Sequence, residues 1–154
     1  MDVVLETNQP KSSAPRRWLV VCLLILSAFG FIDATYLTSK HFLGSPITCS
    51  ILHGCEQVTT SVYSLVLGLP VALFGSLFYL TVLILSAVYL QNQKKLPLII
   101  ITLLSTLAFL VSLRFVYLQL FIIKAICIFC MGSATTSTLL FILSLASLKK
   151  TPAV

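Results

Sequence analysis

Four of the chain's five cysteines fall into two close pairs. Cys49 and Cys55 enclose five residues of a polar stretch, and Cys127 and Cys130 form a C-x-x-C at the head of an apolar run. A disulfide opens to any thiolate that reaches one of its sulfurs, so two such pairs can pass electrons if they meet. Residues three apart in a helical turn have Cβ atoms about 5–6 Å apart, and a disulfide needs roughly 3.5–4.5 Å. A small adjustment therefore closes Cys127 onto Cys130. A helix N-terminus and the C-x-x-C arrangement both lower a thiol pKa, and Lys124, one turn earlier, adds to this if its ammonium reaches the sulfur. The alternatives are two packing cysteines or half of a zinc site, which needs four ligands. Bridging Cys49 to Cys55 closes so short a loop that it stabilises by only about 2–2.5 kcal/mol. A labile bridge on a loop suits electron transfer better than stapling. Cys22 has no partner in reach and acts as a small apolar residue.

The elements that must position these thiols are membrane helices. Of 154 residues, 58% are apolar and 9% charged, where a soluble domain carries roughly a quarter charged. An all-α membrane protein follows, a four-transmembrane-helix bundle with no separate soluble domain. The net charge of +6 does not signal nucleic acid, because the basic residues flank the apolar runs as topology requires. The first run, Trp18 to about Tyr36, is too long for the core of a cleavable signal. Further spans are expected at about 69–90, 96–117 and 125–148, with a tight connection at 91–95 and a brief turn near 119–124. Glu56 to Leu67 has helical spacing of Val58, Val62, Leu65 and Val66 and is expected as a short interfacial helix.

Basic residues orient the bundle. With both termini inside, Lys11, Arg16, Arg17, Lys94, Lys95, Lys149 and Lys150 lie on the cytoplasmic side, leaving Lys40, Arg114 and Lys124 outside; this obeys the positive-inside bias. The layout is a cytoplasmic tail at 1–16, a membrane domain at 17–148 with an outer loop at 38–68, and a cytoplasmic tail at 149–154. Both cysteine pairs then sit on one side, the oxidising one.

Asp33 is the one acid inside a span. Such acids are costly and usually functional, although near the outer end water or Lys40 would satisfy it. Arg114 lies near the outer end of the third span. Ser61 and Tyr63, after the loop, are placed to hydrogen-bond a buried polar ligand; ordinary surface polarity is the plainer alternative. His41 and His53 fall in the loop. No metal or flavin motif is visible, so neither is expected.

The run from Cys49 through Cys55-Glu56-Gln57-Val58, then Ser61-Val62-Tyr63, then Gly68-Leu69-Pro70-Val71-Ala72-Leu73-Phe74-Gly75, then Cys127-x-x-Cys130 resembles the vitamin K epoxide reductase family. The likeness extends from about Tyr36 to Ser137, and the five-residue gap between loop cysteines is similar to the bacterial branch. The resemblance implies a four-helix bundle around a quinone (ubiquinone, menaquinone or vitamin K type), capped by the outer loop and short helix. It implies that Cys49–Cys55 reoxidises a DsbA-like, thioredoxin-like protein and passes electrons to Cys127–Cys130, which reduces the quinone and supports disulfide formation. Cys49 would meet the partner and Cys130 would face the ring. Ser61 would lie near a quinone carbonyl, with Tyr63, Asp33 and Phe74 as further contacts. Many bacterial relatives carry a fused thioredoxin-like domain; this chain ends at Val154, so a separate partner is expected, in a bacterial cytoplasmic membrane.

A DsbB-type quinone-linked oxidase shares the chemistry but has its C-x-x-C in the first outer loop, the reverse of the order here. A reading of another class is a small four-helix transporter subunit with Asp33 as coupling carboxylate, which has no use for four outer cysteines.

Overall fold

The computed structural model describes residues 14–44, 54–92 and 94–149. Cys49, His53 and both chain ends, expected as tails, lie outside the described residues. Helix α1 (Ala14–Phe42) is followed by short α2 (Gly54–Thr59), a 3-10 turn (Val62–Ser64) and a hairpin of β1 (Leu65–Val66) and β2 (Leu69–Pro70). Then come α3 (Val71–Asn92), α4 (Lys95–Tyr117), a π-helical turn (Leu118–Ile123) and α5 (Ile128–Lys149).

Four helical segments, Arg17–Phe42, Val71–Asn92, Lys95–Ile123 and Ile128–Lys149, are long and apolar enough to cross a bilayer. Only 22–28% of each apolar window is buried inside the protein. Much of the rest is exposed, an apolar surface that lipid must cover, so the chain is a multi-pass membrane protein. α1 packs on α3 and α5, and α4 closes the bundle against both. Where helices meet, the buried residues include many small hydroxyl side chains, among them Ser27, Ser86, Ser105, Ser137 and Ser144. Lipid gives no hydrophobic drive to helix association, and small residues let backbones approach closely. Among the described glycines the closest approach is at Gly30, where an added Cβ would lie 2.4 Å from the Tyr79 ring.

Three boundaries differ from the sequence expectation. α1 runs on to Phe42 because Thr38 and Ser39 donate their hydroxyls to Ala34 and Thr35 carbonyls at 2.7 and 2.8 Å, satisfying themselves inside the helix. Lys40 and His41 suit its C-terminal end, and Gly44, with φ of 60°, ends it. The expected interfacial helix stops at Thr59. Hydroxyls take over its carbonyls: Ser61 Oγ donates to Val58 O at 2.7 Å, and Ser64 Oγ reaches Thr59 O and Ser61 O. Such side-chain bonds compete with helix continuation. The chain then reverses through Leu67 and Gly68, both at positive φ (54° and 80°), as a two-residue hairpin requires. Finally, the brief turn after the third span is a π turn, and α5 begins three residues later than Ala125.

Up-and-down connectivity brings the C-terminal ends of α1 and α4 to the same end of the bundle as the N-terminal ends of α3 and α5. The short α3–α4 connection, with Lys94 and Lys95, lies at the other end.

Candidate redox site and adjoining cavity

At the shared end, Leu37 of α1, Cys55 and Val58 of α2, and Ala125 and Cys127 before α5 form one buried cluster. Ala72, Ile123, Phe129 and Cys130 pack against it. Cys55 is 1% exposed and Cys127 0%, so water is excluded from both sulfurs. Cys55 is held in a disulfide, whereas Cys22, Cys127 and Cys130 are free thiols. The Tyr36 ring packs at a tilt on that of Phe129, centroids 5.4 Å apart, pinning α1 to the C-x-x-C.

Cys127 sits immediately before α5 and serves as its cap. Its sulfur accepts the Cys130 backbone N–H at 3.3 Å, and its carbonyl accepts from Met131 N–H at 3.0 Å. A cap side chain normally accepts from the third helical N–H in this way. The Cys130 thiol's hydrogen bond, with help from the Cys130 and Phe129 backbone, holds the Cys127 thiol below the ordinary thiol range, against burial and the Asp33 charge. Lys124, expected to assist, is exposed and in the left-handed conformation and contributes nothing to this shift. The sign gives a pH prediction. When the reduced C-x-x-C attacks the loop disulfide, Cys127 must be thiolate, so the rate of exchange in that direction should persist below about pH 8.5, the free-cysteine value, and fall as pH drops through the lowered midpoint. Stopped-flow measurement of Cys55–Cys127 exchange against pH checks this; a midpoint above the free value would mean that burial outweighs the donors.

Below the cluster lies a cavity of about 330 Å³ whose wall is mostly carbon. Cys130, Ser61, Tyr63 and Phe74 line it, so four of the residues singled out from sequence converge there. The Ser61 hydroxyl is already donated to Val58 O, leaving its lone pairs free. Tyr63 belongs to the 3-10 turn rather than an interfacial helix. Asp33 does not line the cavity. The longer α1 places it nine residues before the helix end, about 13 Å at 1.5 Å per residue, not near the outer end. Lys40 lies over the Tyr36 ring instead of pairing with it, and Asp33 Oδ2 is buried without a hydrogen-bond partner. Arg114 lines a separate recess beside the hairpin, with Leu65 and Val66.

Sequence reasoning missed three contributors. His41, assigned to the loop, is in the last turn of α1 and lines the cavity mouth. Tyr79, in mid-span, donates to Ser133 O at 2.9 Å and meets the Ser133 and Ser137 hydroxyls at 2.9 and 3.0 Å, joining α3 to α5 below Cys130. Gln119 is buried in the π turn, and its Oε1 accepts the Cys127 N–H at 3.0 Å. A polar side chain within an apolar stretch was the available signal for Tyr79 and Gln119 alike.

Cysteines buried together at one end of a four-helix membrane bundle, one opening on an apolar cavity, define a membrane thiol oxidoreductase. The chain belongs to the vitamin K epoxide reductase family, whose family model matches residues 21–145. No curated protein matches it significantly.

Proposed function

We propose that this protein reoxidises a separate thioredoxin-like dithiol protein outside a bacterial cytoplasmic membrane and delivers the electrons to a quinone. The partner's dithiol becomes a disulfide, and its two electrons and two protons end on the quinone as quinol. The observation that carries the reading is the shared burial of Cys55 and Cys127 directly above a cavity lined by Cys130. Cys49 meets the partner and Cys55 relays inward by attacking Cys127 of the Cys127–Cys130 disulfide. The Cys127–Cys55 bond forms as the Cys127–Cys130 bond breaks, releasing the Cys130 sulfur toward the cavity. Cys49 then attacks Cys55, restoring the loop disulfide and freeing Cys127. Leu37, Val58 and Phe129 keep water from the Cys55 and Cys127 sulfurs.

The cavity suits a quinone head: its volume falls at the lower end of the usual ligand range of about 300–1,000 Å³, and a few hydroxyls interrupt an apolar wall. A bound quinone supplies the two-electron acceptor. Ser61 and Tyr63 would hold its polar edge, and Phe74 its ring. The distribution of Lys and Arg supports termini and Lys94–Lys95 in the cytoplasm, and the membrane domain at 17–148 with its sulfurs toward the periplasm.

Reconstitution tests this. In proteoliposomes loaded with ubiquinone or menaquinone, the wild-type chain should oxidise a reduced thioredoxin-like protein only when quinone is present. Replacing Cys49, Cys55, Cys127 and Cys130 together with serine should end it, whereas Asp33→Asn should weaken it only in part. Activity surviving loss of all four cysteines refutes the reading, and the opposite ranking of the two variants points to a transporter. After reduction of the loop disulfide, alkylation with a membrane-impermeant reagent should reach Cys49 from the outer side.

A further inference from the structure

We propose that Gln119 is the positioning residue for Cys127, the sulfur that exchanges with the loop pair. This rests on the assignment of Cys127 as that sulfur. Gln119 lies in the π turn, a helix irregularity frequent at functional sites. There its backbone carbonyl accepts the N–H groups of Lys124 and Ala125, while its side-chain Oε1 takes the Cys127 N–H at 3.0 Å. Three bonds from one residue thus fix the 124–127 connection that delivers Cys127 to the head of α5.

The amide is 1% exposed, and its Nε2 has no hydrogen-bond partner. Burying an amide with its donors unmet is costly, and a leucine there would avoid that cost. Among the described residues, the one polar contact the side chain makes is to Cys127, which accounts for an amide at this position. Fixing the Cys127 N–H fixes the residue as the helix cap. The cap geometry in turn presents its sulfur to the Cys130 N–H and packs it beside Cys55, while Cys130, three residues on, turns to the cavity. The titratable groups that act on Cys127 are Cys130 on α5 and Asp33 on α1; exposed Lys124 lies three residues earlier, and Cys55, packed beside Cys127, is held in a disulfide. Replacing Gln119 alters none of them.

The test uses the full chain in lipid nanodiscs, with Cys22, Cys49 and Cys55 changed to serine so that only the C-x-x-C titrates. Thiolate absorbance is followed against pH, alongside thermal unfolding. Gln119→Met removes the acceptor at nearly constant volume and should raise the lower of the pair's two midpoints by about one unit, a tenfold loss of acidity. Gln119→Glu, buried and protonated, keeps an acceptor carbonyl and should stay within about threefold of the parent. Should the methionine variant fail to fold, Gln119→Asn, whose carbonyl falls short of Cys127, takes its place with the same expectation. An unmoved midpoint in the methionine or asparagine variant, or equal shifts in the glutamate variant, overturns the proposal. The readout needs neither quinone nor partner, so it succeeds or fails independently of the quinone-dependent assay.

Discussion

Cys130→Ala is expected to reduce quinone-dependent turnover by at least about a thousandfold, the scale of loss when a reacting nucleophile is removed. Cys130 is the sulfur on the cavity, and Cys127, fully buried among Leu37, Val58 and Cys55, has no path to replace it. A double variant makes the relay visible. With Cys49→Ser and Cys130→Ala, the thiols left at this end of the bundle are Cys55 and Cys127, packed in one cluster. Mild oxidation should join them nearly quantitatively, because no third thiol remains to reopen the bond. Peptide mapping under non-reducing conditions reads the linkage. Cys22, toward the far end of α1, should stay unpaired and serves as the control. If Cys55 and Cys127 remain free thiols under conditions that close the wild-type C-x-x-C, the two pairs do not communicate.

The second large effect comes from a residue with no side chain. Gly30→Ala should destabilise the bundle by about 1–2 kcal/mol. Two contributions oppose each other. Alanine gains roughly 0.5–1 kcal/mol over glycine in a helix, but overpacking a tight interior costs about 1–3 kcal/mol. The added Cβ would sit 2.4–2.6 Å from three ring atoms of Tyr79. That ring cannot swing aside freely, since its hydroxyl is tied to Ser133 and Ser137, so overpacking prevails. The displacement should travel to α5, because Ser133 lies one turn from Cys130, and quinone affinity should fall along with stability. Thermal unfolding in nanodiscs measures the first effect and the KM for quinone the second. Tyr79→Leu in the same chain should recover much of the lost stability by making room for the methyl. A Gly30→Ala variant as stable as its parent would show that α1 and α3 are less tightly joined than the ring contact implies.

Much of this was legible in the residues themselves. Apolar runs long enough to span a bilayer were fixed by length and composition, since lipid demands both locally. The C-x-x-C at a helix start and the motif from Cys49 to Gly75 were legible because they depend on residues close in sequence. The ends of elements were less so. The helix of Thr38 to Phe42 looked like loop, since hydroxyls that bond back within a helix are indistinguishable in sequence from hydroxyls that break one. The same ambiguity turned the expected interfacial helix into a short helix, a 3-10 turn and a hairpin.

Asp33 shows the remaining limit. Its type announced a group out of place in a membrane, yet its depth depended on where α1 ended, and the unpartnered burial of its Oδ2 on how the bundle packed. The number of spans, the two thiol pairs and the redox chemistry they permit were determined by the sequence alone, because each follows from local residue type and spacing. That Cys127 is the buried sulfur and Cys130 the one at the cavity was decided by the tertiary structure. So were the seating of Tyr79 against Gly30 and the Gln119 amide beneath Cys127. The first two depend on which helix faces which, a matter of packing between residues dozens of positions apart, and the third on a π turn that closes across eight residues.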